Sequence, residues 1–192
     1  MARLILASAS PRRKMLLEQA GITDFIVRPA TVSEPKPAMG LAPAEAVMEI
    51  ARFKGQAVAQ SAEPGQPILA ADTMVCLDGE LLGKPVDAAD AVCMLRRLSG
   101  VRHTVYTGVA LFLDGKVRVS AEATDVYFRV LTDEEICRYV ARGEPMDKAG
   151  GYGIQGPGAV FVRRVEGDFY NVVGLPLCLL TELSRGMGVH IF

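Results

Sequence analysis

The segment at residues 8–13, Ser-Ala-Ser-Pro-Arg-Arg, places two arginines at the predicted start of a helix. Ser10 is a good N-cap, and the proline after it is a good first helical residue, yet the positive end of the helix dipole should repel Arg12 and Arg13. Free backbone N–H groups and two guanidinium groups would together bind phosphates, with Ser8 and Ser10 as extra donors. The alternative is a solvated basic turn, because exposed dipole effects are worth only about 0.3–1 kcal/mol.

Asp72 interrupts the otherwise apolar segment at residues 68–77. A carboxylate there is costly unless it is paired, hydrogen-bonded or bound to a metal, so Asp72 is either a metal ligand or general base, or a strand-end aspartate that caps a turn.

Lys54 lies on the apolar stripe of a predicted helix, four residues from both Ile50 and Val58. Its ammonium group therefore points towards the core side, where it either serves an active site or extends past the core edge into solvent.

Two further segments are ambiguous on their own. Lys84 stands in a stiff Gly-Lys-Pro context after a predicted hairpin, but the spacing of a P-loop is missing and a plain turn lysine explains it. The glycine-rich segment at residues 147–158 lacks the preceding strand and following helix of a dinucleotide-binding fingerprint. It is either a flexible loop whose backbone approaches a ligand, with Gln155 offering a donor and an acceptor to a base edge, or a surface loop without a ligand.

The composition limits the possible classes of function. The 192 residues are 50% hydrophobic and 22% charged, which is typical of a globular chain and predicts a single domain over residues 1–192. The formal net charge of -1 argues against nucleic acid as a partner, because no global basic field is present. With only two histidines in the chain, a histidine metal cluster is excluded. Any metal would have oxygen ligands, which suits Mg²⁺ or Mn²⁺.

The cysteines and the apolar segments bear on localisation. Four cysteines lie in apolar stretches without metal-ligand spacing: Cys76, Cys93, Cys137 and Cys178. We interpret them as core thiols in a reducing cytosol. The first apolar run is too short for a signal peptide, and no later segment approaches the ~20 apolar residues of a membrane helix. The sequence therefore predicts a cytoplasmic protein without a membrane partner.

Strand and helix patterns alternate along the chain. Short apolar or alternating runs predict strands over residues 3–7, 25–30, 68–77, 80–82, 104–113, 116–130 and 159–165. Periodicity and capping residues predict helices over residues 11–20, 44–62, 88–98, 132–142 and 177–184. Two Asp-Gly turns predict hairpins, and residues 31–43 must be a loop. This mixture indicates an α/β or α+β fold around a mixed sheet.

Six segments together resemble the Maf family of nucleotide pyrophosphatases. Their order and spacing match that family from end to end, and their joint occurrence is very specific. They are Ser8 to Arg13, Ala71-Asp72-Thr73, Gly83-Lys84-Pro85, Asp147-Lys148-Ala149-Gly150, Tyr152 to Gly156 and Asn171 to Leu177. The resemblance implies a fold like that of inosine triphosphate pyrophosphatases, an elongated twisted mixed sheet flanked by helices, with two lobes and a central cleft. It also implies a homodimer.

The resemblance further implies a reaction, the hydrolysis of a nucleoside triphosphate between its α and β phosphates with a divalent cation. Asp72 matches the family's catalytic aspartate, which holds the metal and activates the attacking water. Arg13, Lys54 and Lys84 match its phosphate-binding basic residues. Glu34 aligns with an acidic residue assigned to metal binding, although members often carry aspartate just before it, where this chain has serine.

The same resemblance bears on the substrate. Arg12, Thr73 and Gln155 match the branch that acts on dTTP and UTP, whereas the branch that acts on 7-methyl-GTP typically has other residues at these places. The amide of Gln155 can satisfy the donor and acceptor edge of uracil or thymine. Two rival hypotheses are a nucleotide-binding regulator of cell division that needs no catalysis, and a 7-methyl-GTP pyrophosphatase.

Overall fold

Strands and helices alternate through the computed structural model, which describes residues 3–32, 35, 38, 40–189 and 191. The strands in this part of the chain are β1 (Leu4–Leu6), β2 (Phe25–Val27), β3 (Ile68–Leu77), β4 (Glu80–Leu82), β5 (Arg102–Leu113), β6 (Lys116–Phe128) and β7 (Val162–Glu166). The helices are α1 (Pro11–Gln19), α2 (Pro43–Ala59), α3 (Ala88–Leu98), α4 (Asp133–Val140), α5 (Phe169–Val173) and α6 (Leu177–Arg185).

The strands form one sheet in the order β2-β1-β3-β5-β6-β7, with β4 paired to β3. Strand β1 runs parallel to β2 and to β3, whereas β4 is antiparallel to β3 and β7 is antiparallel to β6. The predicted mixed sheet is therefore confirmed. Both Asp-Gly turns have positive φ at each central residue, 51° and 84° at residues 78–79 and 47° and 76° at residues 114–115. This is the turn geometry that favours tight hairpins.

The predicted elements are present, with changes at their ends. Residues 159–161 were expected in a strand but form part of a 3₁₀ turn, Pro157–Phe161, because Phe161 is buried there against aromatic side chains. A short apolar run has no periodicity that separates the two conformations. Helix α5 was not predicted, since five residues are too few to show a helical repeat.

The chain divides into two compact units. Unit 1 comprises the residues up to Asp72, residues 107–122 and the residues from Gly174 onward. Its core includes side chains of β1, α2, β3 and β5. Helix α2 lies very close to β5, because a Cβ atom on Gly108 would overlap the backbone of Val47. This contact fixes the helix that carries Lys54.

Unit 2 comprises residues 73–106 and 123–173. Asp87 caps the start of helix α3, where its side chain accepts the N–H of Asp90, and a capping box of Thr132 and Glu135 precedes α4. The core of unit 2 contains an aromatic cluster in which successive rings meet edge to face or tilted. Its members are His103, Phe128, Tyr139, Tyr152 and Phe161.

Only one cysteine behaves as predicted. Cys76 is buried, but Cys93, Cys137 and Cys178 are exposed, so the interpretation of all four as core thiols is wrong for three of them. Each of the three lies on an amphipathic helix at a position outside the buried stripe. In the described part of the chain, no helix is long and apolar enough to span a membrane.

Candidate active site

The first candidate group lies where β1 leads into α1. The helix begins at Pro11, as predicted, and its first turn carries no acidic residue. Ser10 occupies the N-cap position, but its side chain makes no capping hydrogen bond. The positive end of the α1 dipole therefore lies beside Arg12, which is partly buried, and Arg13, which is buried. This arrangement suits a bound anion.

Arg13 is held by two oxygen atoms of unit 1. Its Nε donates to the carbonyl oxygen of Gly174 at 2.8 Å, and its Nη1 donates to Ser8 Oγ at 3.0 Å. Ser8 is itself buried, and its Oγ also accepts the backbone N–H of Ser10 at 3.2 Å. The Ser8 hydroxyl thus orients both the arginine and the helix start.

Lys54 and Asp72 form a partly buried ion pair. Lys54 Nζ donates to Asp72 Oδ1 at 2.7 Å, and the two side chains are only 12% and 11% exposed. Asp72 lies within β3 and caps neither a turn nor a helix, so the strand-end alternative is wrong. Lys54 does not extend into solvent, because its ammonium group meets the carboxylate.

Parallel pairing relates the helix start to this ion pair. Strand β1 pairs with β3 so that Leu6 lies opposite Leu69, and the N–H of Ala7 reaches the carbonyl of Leu69 at 2.7 Å. Continuing this register brings Ala9 and Asp72 to the same level of the sheet, beyond the last paired residues. Within unit 1, the predicted phosphate site at the start of α1 therefore follows β1 at the end where the neighbouring strand β3 carries Asp72.

The second carboxylate oxygen of Asp72 is enclosed by the protein. Oδ2 is buried and has no hydrogen-bond partner among the described residues. A buried carboxylate oxygen without a donor is costly unless a water or cation satisfies it. Glu34, the second predicted metal ligand, lies outside the described residues, and within those residues no group of three potential metal ligands occurs.

Three predicted substrate residues belong to unit 2. Thr73 is partly buried on β3, while Lys84 and Gln155 are exposed. The carbonyl of Gly83, next to Lys84, accepts the N–H of Gly150 at 2.9 Å. This hydrogen bond joins the Gly-Lys-Pro turn to the glycine-rich segment, which the sequence placed 67 positions later. The structure thus brings two of the family segments into contact.

Residues 152–158, here called the Gln155 loop, are packed against side chains of unit 2. Cβ atoms on Gly153 and Gly156 would overlap Lys148 and Glu144 respectively, and one on Gly158 would lie 2.9 Å from the Tyr139 hydroxyl. The sequence left open whether the backbone of this glycine-rich segment approaches a ligand or forms a surface loop without one. At these positions the space is taken by the protein's own side chains.

Two parts of the site were not assigned from the sequence. Gly174 binds Arg13 through its carbonyl oxygen and has a φ of 122°, which only glycine adopts readily. Tyr139 and Glu144, against the Gln155 loop, were not singled out either. The sequence signal for Gly174 is its place before Leu-Pro in the last family segment. Nothing in the local sequence links Tyr139 to the loop.

A protein-family model described as Maf-like protein matches residues 3–187 of the chain. Several curated relatives match over nearly their whole length. The dTTP/UTP pyrophosphatase of Pelotomaculum thermopropionicum is 47% identical over 100% of both chains. The proteins of that name from Geobacter metallireducens and Bacillus cytotoxicus are each 50% identical, with 97% and 96% of both chains covered.

Solved structures with a similar fold include two Ham1 proteins. The HAM1 protein from Coxiella burnetii aligns with a TM-score of 0.52 over 98% of this chain and 99% of that one, and the Staphylococcus aureus Ham1 protein aligns with a TM-score of 0.53 over 96% and 99%. Each is 15% identical, so the likeness concerns the fold alone. It confirms the mixed α/β fold of the inosine triphosphate pyrophosphatase type.

Proposed function

The chain belongs to the Maf-like protein family, and on this premise we propose that it hydrolyses dTTP and UTP to the nucleoside monophosphate and pyrophosphate. Relatives about 50% identical over their full length bear the name of that activity. The observation that carries the proposal is Asp72, a buried carboxylate with one oxygen on Lys54 and the other without a hydrogen-bond partner among the described residues. A protein that only binds nucleotides needs no such group.

Asp72 acts as the general base. Oδ2 accepts a proton from water as the water oxygen attacks the α-phosphorus, and the bond from that phosphorus to the bridging oxygen breaks, so pyrophosphate leaves. Lys54 holds the carboxylate in place through Oδ1 and keeps a positive charge beside it. Rotation of the carboxylate is thereby limited, which keeps its free oxygen available to the water.

Basic groups stabilise the charge of the triphosphate. Arg13 is fixed by Gly174 and Ser8, so its guanidinium group is already oriented before substrate binds. The N–H groups at the start of α1 add a partial positive charge. Lys84, on the exposed turn of unit 2, is assigned to phosphate binding by the family resemblance.

A divalent cation, Mg²⁺ or Mn²⁺, belongs to the proposal. When bound, it would activate water and neutralise phosphate charge. Asp72 is proposed as one ligand, because its buried Oδ2 has no hydrogen-bond partner among the described residues and carries two lone pairs, one for the cation and one for the proton of water. Mg²⁺ commonly takes one or two carboxylates and completes its shell with water and phosphate oxygens. Glu34 is proposed as a second ligand. We further propose a homodimer, as the resemblance implies, and a cytoplasmic localisation, as the sequence analysis predicts.

The pyrimidine preference depends on three residues. Arg12, Thr73 and Gln155 match the dTTP and UTP branch, and the exposed amide of Gln155 has both a donor and an acceptor for the base edge. Replacement of Gln155 with glutamate should therefore weaken UTP turnover more than GTP turnover. The ratio of kcat/KM values for the two nucleotides measures this change.

The activity is tested with a panel of triphosphates that includes dTTP, UTP, CTP, GTP and 7-methyl-GTP, each with Mg²⁺ or Mn²⁺, by measuring pyrophosphate release. We expect release from dTTP and UTP, and a loss of at least about 100-fold in kcat for Asp72→Asn. Asp24→Asn is the matched control, because Asp24 is an exposed carboxylate paired with Arg3 in the same unit.

Three results would contradict the proposal. If no triphosphate is cleaved, the protein is a binding protein, and the regulator hypothesis gains. If Asp72→Asn keeps full activity, the assignment of the general base is wrong. If 7-methyl-GTP is cleaved in preference to UTP, the chain belongs to the branch that acts on 7-methyl-GTP.

A further inference from the structure

We propose that Tyr139 and Glu144 are positioning residues that hold the backbone of the Gln155 loop and so set the base preference of the enzyme. The inference rests on the proposed function, in which Gln155 contacts the pyrimidine. It adds two residues of unit 2 that do not themselves touch the substrate.

Tyr139 fixes the loop just before Gln155. Its side chain extends from α4 into the core and is 4% exposed, and its hydroxyl oxygen accepts the N–H of Gly153 at 3.1 Å. The same hydroxyl lies against Gly158, where a Cβ atom would come within 2.9 Å. Burial and the neighbouring Glu144 carboxylate raise the pKa of Tyr139 above its ordinary value, so the hydroxyl stays protonated.

Glu144 fills the space on the other side of Gln155. Its carboxylate occupies the position that a Cβ atom on Gly156 would take. Its Oε1 also lies 3.0 Å from the position that a Cβ atom on Gly153 would take. The side chain is only 16% exposed, and Oε2 is buried without a hydrogen bond to any described residue. Lys148 supports this carboxylate at 4.0 Å and donates to the Glu144 carbonyl oxygen at 2.8 Å.

A third contact anchors the beginning of the loop. The Tyr152 hydroxyl and His103 Nε2 lie 2.7 Å apart, and both rings meet Phe128 edge to face. The backbone is therefore held at residues 152, 153, 156 and 158, whereas the Gln155 side chain between them is exposed. The Gln155 loop thus exposes one side-chain amide on a backbone that is held in place.

Such fixing has a predictable consequence for catalysis. A recognition group must be held within about 0.5 Å of its productive position, and ordering it before binding removes an entropic cost. Loosening the loop should raise the KM for the preferred base and reduce discrimination. The chemical step is assigned to Asp72, so kcat should change little.

The test compares Tyr139→Phe and Glu144→Ala with two controls from unit 2. Tyr127→Phe removes an exposed hydroxyl that donates to Glu166, and Glu134→Ala removes an exposed carboxylate on α4. Steady-state kinetics with UTP and CTP should show KM for UTP raised about 10-fold in the test variants, through one lost hydrogen bond in Tyr139→Phe and lost packing against Gly156 in Glu144→Ala. We expect kcat within about 2-fold, a UTP to CTP preference reduced by about 10-fold, and no change in the controls.

A double-mutant cycle with Gln155→Ala separates positioning from a structural effect. If Tyr139 and Glu144 act through Gln155, their effects on KM disappear when Gln155 is alanine. Effects that persist there, or wild-type preference in both variants, overturn the inference while leaving the pyrophosphatase activity intact. The inference is also overturned if circular dichroism shows that neither variant folds. Absence of turnover in the wild-type protein refutes the proposed function itself, and the inference with it.

Discussion

At the residue scale, the cost of burying two charges and their mutual attraction oppose each other in the Lys54–Asp72 ion pair. Both charges are largely removed from water, which costs free energy, and their close approach at 2.7 Å offsets that cost. Such a pair adds little net stability, but loss of one partner leaves a buried charge uncompensated. The pair therefore holds a carboxylate inside the sheet, at the place where the proposed mechanism uses it.

Replacement of Lys54 with methionine should destabilise the protein by about 3 kcal/mol, because Asp72 remains buried without its cation. The double variant Lys54→Met/Asp72→Asn should recover much of that loss, since no uncompensated charge remains. Urea unfolding of the wild-type protein, both single variants and the double variant gives the coupling free energy. Additive effects would show that the two side chains do not depend on each other.

Replacement of Arg13 with lysine tests whether direction matters as well as charge. Lysine keeps the positive charge but cannot donate to Gly174 and Ser8 in the geometry of the guanidinium group. We expect kcat/KM for UTP to fall by about 10- to 100-fold, equivalent to one or two lost hydrogen bonds. Arg28→Lys, at a partly buried arginine that donates to the carbonyl of Ser61, is the control. Equal effects of both variants would argue against a special role of Arg13.

At the scale of elements, local sequence predicted what local forces determine. The β3–β4 hairpin and helix α3 were predicted with their observed bounds because Asp-Gly fixes the turn and Asp87 caps the helix. Strand β7 begins three residues later than expected, and α5 was missed. Around Phe161, tertiary packing in an aromatic cluster overrides a weak local preference, and no single-sequence pattern reports that packing.

The close approach of α2 to β5 gives a prediction at this scale. In Gly108→Ala, the added methyl group would overlap backbone atoms of Val47, which cannot move without shifting the helix. We expect a loss of at least about 2 kcal/mol in the free energy of unfolding and reduced activity, because α2 carries Lys54. Gly83→Ala has open space around the new methyl group and should leave the free energy of unfolding within about 1 kcal/mol of wild type. Equal denaturation midpoints for the two variants would contradict this packing.

At the scale of the whole molecule, the candidate site depends on contacts between distant parts of the chain. The resemblance named Asp72 and Arg13, and the structure shows their partners: Lys54 is 18 positions from Asp72, and Gly174 is 161 positions from Arg13. Composition and spacing carry no information about such pairs. The resemblance therefore names the candidate residues, whereas the support of Arg13 by Gly174 and of the Gln155 loop by Tyr139 required the fold.

The stability of the whole molecule should depend on pH through His103. This ring is 2% exposed in the core of unit 2, and its removal from water lowers its pKa from 6.5 to about 4, against a smaller opposite effect of Asp125. Between these two values the unfolded chain binds a proton that the folded protein does not. The free energy of unfolding therefore rises with pH across this window. The contribution of His103 to it is fully present above about pH 6.5 and is lost as the pH falls towards 4.

The size of this dependence follows from the two pKa values. Each pKa unit is worth about 1.4 kcal/mol, so the stability lost between pH 6.5 and pH 4 through His103 is about 3 kcal/mol. His103→Phe cannot titrate, and although it leaves the Tyr152 hydroxyl without its partner, that cost does not vary with pH in this range. Urea unfolding at half-unit pH steps should therefore give a steeper curve for the wild-type protein than for the variant. Parallel curves would mean that His103 has the same pKa in the folded protein and in the unfolded chain, so that burial does not lower it.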